Sequence, residues 1–237
     1  LAEAARAAKL RGIVLVPGIE LTAYHEGREW HVLALLVQAS AGLVERRLKP
    51  FIEARRSRME EMTERLRRDG YDVSLEEVEE EATGKVLSRM HLARVLIAKG
   101  FARSDNEVYR RFIGNGAPYY VPKKTLSVEG AVEITLELGG VPCIAHPGIP
   151  GDDAAIPVFV KAGVAALEAF TPKHNRKQEL RYETLARSLG LVAIAGSDFH
   201  GREKRRGRDI GCRTASRDVF DTLMEARETL AKPPSRV

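Results

Sequence analysis

Short apolar runs and stretches of helical period succeed one another along this chain. Residues 2–11 are Ala-rich and read as a helix. Ile13-Val14-Leu15-Val16 reads as a buried strand ending at Pro17-Gly18-Ile19-Glu20, and Trp30 to Leu36 reads as another. This succession is the opening of a parallel α/β fold. The pattern changes near residue 43. An Arg/Glu-rich helix runs from Val44 to Arg68 and stops at Asp69-Gly70. Ser74-Leu75-Glu76-Glu77 has the spacing of a capping box and predicts a second helix. A third runs from Leu87 to Lys99, ended by Gly100, and a short fourth from Asp105 to Phe112.

The α/β alternation then resumes. Ser127 opens a helix to Leu138, and Val141 to Ala145 is a strand ending at His146-Pro147-Gly148. Ile156 to Ala162 is a helix, Ala165 to Phe170 a strand, Gln178 to Leu189 a helix and Leu191 to Ala195 a strand. The expected organisation is an α/β domain in two parts, residues 1–43 and 123–231. A helical subdomain over 44–122 is inserted between them, and 232–237 form a disordered tail.

Composition narrows the class. The chain has 237 residues, 44% hydrophobic and 30% charged, the composition of a soluble globular protein. A net charge of +5 favours anionic partners such as nucleic acid or a phosphorylated small molecule, or reflects a generally basic, Arg-rich proteome. Cys143 and Cys212, without a Cys-x-x-Cys, give neither a disulfide framework nor a zinc ribbon, so reduced thiols and a cytoplasmic location are expected. No apolar run reaches the ~18 residues of a bilayer span, so no membrane partner is expected. Gly-x-Ser-x-Gly, His-Glu-x-x-His and a Gly-Lys-Ser/Thr phosphate loop are all absent from the sequence. Nothing in it sets the oligomeric state.

The candidate chemistry lies at strand ends. Gly196-Ser197-Asp198-Phe199-His200-Gly201 follows the run Leu191–Ala195. An Asp and a His two apart on extended backbone point the same way, as a pair of metal ligands would. Glu20, His146, Asp198 and His200 fall at or just after strand ends, and His31 near the start of its own. In a barrel of parallel strands such side chains converge on one mouth. Carboxylate with imidazole suits Mn, Zn or Fe. Each residue also has a plainer reading: Glu20 capping a turn, His31 packed beside Trp30, Asp198 capping a helix.

These motifs resemble those of the PHP (polymerase and histidinol phosphatase) metallophosphoesterases. They are Pro17-Gly18-Ile19-Glu20, the His31 strand, Ala145-His146-Pro147-Gly148 and Gly196-Ser197-Asp198-Phe199-His200-Gly201. The insertion, with Arg89-Met90-His91-Leu92-Ala93-Arg94, is similar to that of the branch containing 3′,5′-nucleoside bisphosphate phosphatases and a 5′-to-3′ exoribonuclease. The resemblance implies a distorted (β/α)7 barrel with up to three divalent metals, manganese favoured over zinc, iron or magnesium. Glu20 would bridge two metals, with His31 and His146 alongside, Asp198 on the first metal and His200 on the third. Asp198 and His200 would carry the catalysis. The family's opening Asp-x-His-x-His and Thr-Asp-His-Asp strands do not occur in this sequence, which implies that two βα units, ~45 residues, precede Leu1.

His91 and Arg94 are three apart and share a helix face. They read as a phosphate clamp, or as an ordinary solvated face. His174, after the strand Ala165–Phe170, is similar to a family position near the phosphate; Lys173 and Arg176 read as solvated. The run Arg202–Arg208 reads as a solvated loop or as a segment that steers a polyanion, and Tyr119 and Tyr120 would stack a base or fill the core. The expected activity is metal-dependent hydrolysis of a nucleotide phosphate ester, on a 3′-phosphorylated nucleotide or a short RNA 5′ end. The competing readings are a nucleic-acid-binding relic without catalysis and an amidohydrolase-type hydrolase of C–N bonds.

Overall fold

A two-residue turn, absent from the expected layout, sets the front of the molecule. The computed structural model describes residues 2–82, 84, 86–123, 126–200 and 209–231. Helix α1 (Ala2–Leu10) forms as predicted. The run Ile13–Val16 does not form a strand: Ile13 is 60% and Val14 69% exposed, and Ile13 N bonds back to Ala8 O at 2.9 Å at the end of α1. A short apolar run cannot by itself say what covers it. The strand lies just beyond, as β1 (Gly18–His25), antiparallel to β2 (Arg28–Leu35). Glu26 and Gly27 close the hairpin with φ of +47° and +76°, the left-handed pair that matches strand twist. The opening is therefore an antiparallel hairpin, which corrects the parallel reading of these strands.

Alternation sorts the hairpin into two faces. Leu21, Ala23, Trp30, Val32 and Ala34 are buried on one. Trp30 packs edge-on against Phe159 with ring centroids 4.9 Å apart. Glu20, Thr22 and His31 lie on the other face, with Thr22 directly opposite His31 and Glu20 on its diagonal.

The chain divides into two compact units, Leu1–Ala41 with Thr125–Val237, and Gly42–Lys124. The second unit contains α2 (Ala41–Arg68, which begins one residue before it), α3 (Leu75–Glu80), α4 (Arg89–Ala98) and α5 (Asp105–Val108), which continues as a π turn over Tyr109–Ile113. The Ser74 capping box forms: Ser74 Oγ accepts from Glu77 N at 3.2 Å, and Ser74 N donates to Glu77 Oε2 at 2.9 Å. Met62, Leu66, Leu92, Leu96 and Phe112 fill this unit's core.

The first unit continues with α6 (Val128–Glu137), β3 (Val141–Ile144), α7 (Ile156–Ala162), β4 (Ala166–Phe170), α8 (Arg176–Ser188), β5 (Val192–Ala195) and α9 (Arg217–Leu230). Its described strands form a five-stranded mixed sheet in the order β1-β2-β3-β4-β5. β2 runs antiparallel to β3, while β3, β4 and β5 are parallel. Helix α6 packs on β1 to β3, α8 on β4 and β5, and α9 on β5 and β3. A bulge at Ala169 breaks the β4–β5 register between Glu168 and Phe170. The architecture is α/β. The predicted basic run Arg202–Arg208 and the tail 232–237 lie outside the described residues. Among the described residues no helix is long and apolar enough to cross a membrane.

Trp30 anchors the hairpin to the core. Trp30→Ala should cost about 3–5 kcal/mol of stability. Urea unfolding followed by far-UV circular dichroism measures this, because Trp30 is the only tryptophan. A loss under about 1 kcal/mol would contradict the packing described here.

Candidate metal centre

The polar face of the hairpin supplies the first ligands. His31 Nδ1 lies 2.6 Å from Glu20 Oε1, off the line of a hydrogen bond. Both residues are interior to their strands, so they meet across the hairpin and not at strand ends as expected. His146 follows β3, where Ala145 N still donates to His31 O at 2.9 Å. Its ring stands edge-on to His31 at 5.0 Å, with Nε2 3.6 Å from Glu20 Oε1. His146 is 3% exposed, and neither ring nitrogen is hydrogen-bonded to a described residue. A buried imidazole left this way carries a desolvation cost that a cation would offset.

The second group forms after β5. Gly196 N donates to Phe170 O at 3.0 Å and extends the ladder by one bond. The chain then turns, and Asp198 has φ of +51°. The backbone is therefore not extended there, which corrects the argument for a common direction. His200 instead bends back, with Nδ1 2.8 Å from the Asp198 carbonyl oxygen and 3.4 Å from Oδ1. Ligand atoms of Glu20, His31 and His146 lie within 4.8 Å of one another, and so do those of Glu20, Asp198 and His200. Glu20 belongs to both groups.

Electrostatics couple these side chains. Contacts with His146 and then His31 hold the Glu20 carboxyl well below the usual carboxylate range. Burial pulls the His31 pKa down, but Glu20 and Glu29 outweigh it and raise the imidazole to about 9. Carboxylate and imidazole donors in two groups fit borderline divalent cations such as Mn²⁺ or Zn²⁺.

Two residues of the site escaped the sequence reading. Lys173 is not solvated: its side chain is 14% exposed, and Nζ sits 2.8 Å from Asp198 Oδ2. Glu168 is buried in the middle of β4, where burial and the nearby Asp198 push its carboxyl up to about 7 against a hydrogen bond from His146 N. The signal for Glu168 was a single carboxylate inside the apolar run Ala165–Phe170.

His174 has both ring nitrogens engaged by backbone. Nδ1–H donates to Ala169 O at 2.9 Å, the carbonyl that the β4 bulge leaves outside the ladder. Nε2 accepts from Gly148 N at 3.0 Å, and the ring stacks on Tyr182 at 4.8 Å. Burial lowers its pKa. This geometry makes His174 a brace between the β3 and β4 loops, with no ring nitrogen left for phosphate, and corrects the expected role. Arg176 remains exposed.

His91 and Arg94 belong to the helical unit. His91 Nδ1 accepts from Ser88 N at 3.3 Å, and Arg94 Nη1 stands 3.9 Å from Glu81 Oε2 with both side chains substantially exposed. Arg89 is structural: it donates to Ile113 O and Asn115 Oδ1 and lies over the Tyr109 and Tyr120 rings. Tyr119 is core, bonded to Asp69.

No family model matches the chain. It is 29% identical over 191 residues to the 5′-3′ exoribonuclease Rnm of Escherichia coli, covering 78% of this chain and 65% of that protein. It thus spans about two thirds of that relative's length. Among solved structures, an amidohydrolase from Chromobacterium violaceum with bound sulfate and no metal superposes with a TM-score of 0.76 at 27% identity, covering 95% of this chain and 81% of that one. A 3′,5′-nucleoside bisphosphate phosphatase of Chromobacterium violaceum is 30% identical over 220 residues, covering 89% of this chain and 76% of that protein. That identity over that share of both chains, with the motifs around Glu20, His146 and Asp198, places the chain in the PHP phosphoesterase family, to which it belongs.

Proposed function

We propose that the protein is a divalent-metal-dependent phosphoesterase acting on nucleotide phosphate esters. The observation that carries this is the sharing of Glu20 between two ligand groups, beside a buried His146 whose ring nitrogens have no described hydrogen-bond partner. In this reading Glu20, His31 and His146 hold one cation, and Glu20, Asp198 and His200 a second. Bound divalent ions supply Lewis acidity that offsets phosphoryl charge and acidifies a nearby water. Manganese is the favoured ion, with a third site in the complete family arrangement. The five-stranded sheet is read as a section of a distorted (β/α)7 barrel, and residues 44–122 as an inserted helical subdomain.

The chain's own residues take distinct parts. Glu20 and Asp198 provide the negative charge of the centre, and the histidines provide imidazole donors, with His31 giving up a proton as a cation binds. The Lys173 ammonium balances the nearly buried Asp198 carboxylate and sits where a phosphoryl oxygen would gain from positive charge. Arg94 and His91 are read as a phosphate clamp on the helical unit, since a guanidinium grips phosphate through two parallel bonds. A 3′,5′-bisphosphorylated nucleoside or the 5′ end of a short RNA has the matching charge. The relatives named as a bisphosphate phosphatase and an exoribonuclease support this substrate class. The structural neighbour named as an amidohydrolase is the one observation toward C–N chemistry. Parallel assays on amide substrates decide between the two. Both cysteines are free thiols, which suits action in the cytoplasm.

Two outcomes test this reading. Chelation should abolish hydrolysis of a 3′,5′-bisphosphorylated nucleoside, and added Mn²⁺ should restore it. His146→Ala should lower bound manganese by at least one ion per chain, read by elemental analysis. A variant that keeps full manganese and turnover would refute the assignment of His146.

Arg94 tests the substrate side independently of the metals. Arg94→Ala should leave metal content intact and lower kcat/KM about 100-fold, or ~2.7 kcal/mol. Lys at this position should recover only part of the loss, because an ammonium cannot form the bidentate fork. Unchanged kcat/KM in Arg94→Ala would return His91 and Arg94 to a solvated helix face.

A further inference from the structure

One carboxylate touches both loops that carry the candidate ligands. Glu168 sits on β4, the strand between β3 and β5. It is 5% exposed, although a carboxylate is rarely buried without a task. Oε2 accepts the His146 backbone N–H at 2.9 Å. Oε1 packs against Gly196, two residues before Asp198: a Cβ built on Gly196 would lie 2.2 Å from it. Only glycine lets the strand end come that close. The two ligands reached this way both have strained backbones, His146 at φ +30° and Asp198 at φ +51°. Such conformations persist only where the surroundings hold them.

We propose that Glu168 is a positioning residue that clamps the β3 and β5 loops together and so fixes the spacing between His146 and Asp198. One carboxylate oxygen holds the His146 backbone, and the other sets how near the Gly196–Asp198 turn approaches. Glu168 acts through these loops and not as a ligand. The consequence for metal affinity rests on the metal-centre reading above; the consequence for backbone order does not.

The test uses the full chain with Glu168→Ala, Glu168→Gln and Gly196→Ala. Amide hydrogen exchange at residues 145–148 and 196–199 is measured without metal, and Mn²⁺ affinity by electron paramagnetic resonance. Glu168→Ala should speed exchange in both loops at least 10-fold relative to the helical unit. It should also weaken Mn²⁺ binding ~10–100-fold, the usual effect of removing a group that orients a ligand. Glu168→Gln should stay within about 3-fold of wild type, because its amide oxygen accepts the same N–H. A carboxylate that served as a metal ligand, and so needed its charge, would not give this rescue. Gly196→Ala keeps every ligand but forces Glu168 aside, so it too should weaken Mn²⁺ binding, and it decides the matter with Glu168→Gln if Glu168→Ala does not fold. Exchange in the two loops no faster than elsewhere overturns the clamp, as does a Gln variant as impaired as the Ala variant. A wild-type protein that takes up no Mn²⁺ defeats the metal-centre reading instead, while the exchange data still judge the clamp.

Discussion

The register of the β1–β2 hairpin governs which side chains meet at the candidate centre. Its turn has two residues, so His25 pairs with Arg28 and every later pair follows, down to Gly18 with Leu35. Side chains alternate with period two, so a slip of one residue would turn one strand over, burying Glu20 if β1 moved or burying His31 and exposing Trp30 if β2 moved. The buried face, with Trp30 against Phe159, opposes that slip. Hydrophobic packing on one side of the hairpin thus places the carboxylate and imidazole on the other. Glu20 then lies where ligands from β2, from beyond β3 and from beyond β5 all reach it.

Around this point the fold accepts local costs. His146 and Asp198 stand at positive φ, Glu168 is a buried carboxyl, and the β4 bulge leaves a carbonyl that His174 must satisfy. Each is unfavourable alone. Together they bring side chains of both charges into one place, with Lys173 against Asp198 and His31 against Glu20. A charged cluster this close, with several members largely buried, is better explained by binding chemistry than by stability, since such pairs contribute little net folding free energy.

Much of this was legible in the sequence where local signals are self-contained. Ser74 with Glu77, Ser127 and Gly100 marked helix ends because capping depends on neighbours a few residues away. The strands before His146 and Asp198 were legible because strands of the parallel part of such a sheet read as short apolar runs. Ile13–Val16 misled for the same reason: the run looks like such a strand, but burial depends on residues distant in sequence. The hairpin was missed because Glu26-Gly27 is a weaker turn signal than Asn-Gly or Asp-Gly. Glu168 and Lys173 were hidden because their partners, His146 and Asp198, are more than twenty residues away, and no spacing rule connects them. His174 was over-read, since a histidine after a strand serves as well to satisfy a bulged carbonyl as to bind a ligand.

The central claim is that Glu20 is shared between two cation sites. Anomalous diffraction from crystals soaked in Mn²⁺ tests it most directly. Two anomalous peaks should appear, one among Glu20, His31 and His146 and one among Glu20, Asp198 and His200, both within coordination distance of the Glu20 carboxylate. Manganese that binds only away from Glu20, or no peak at either group under saturating Mn²⁺, would contradict the account.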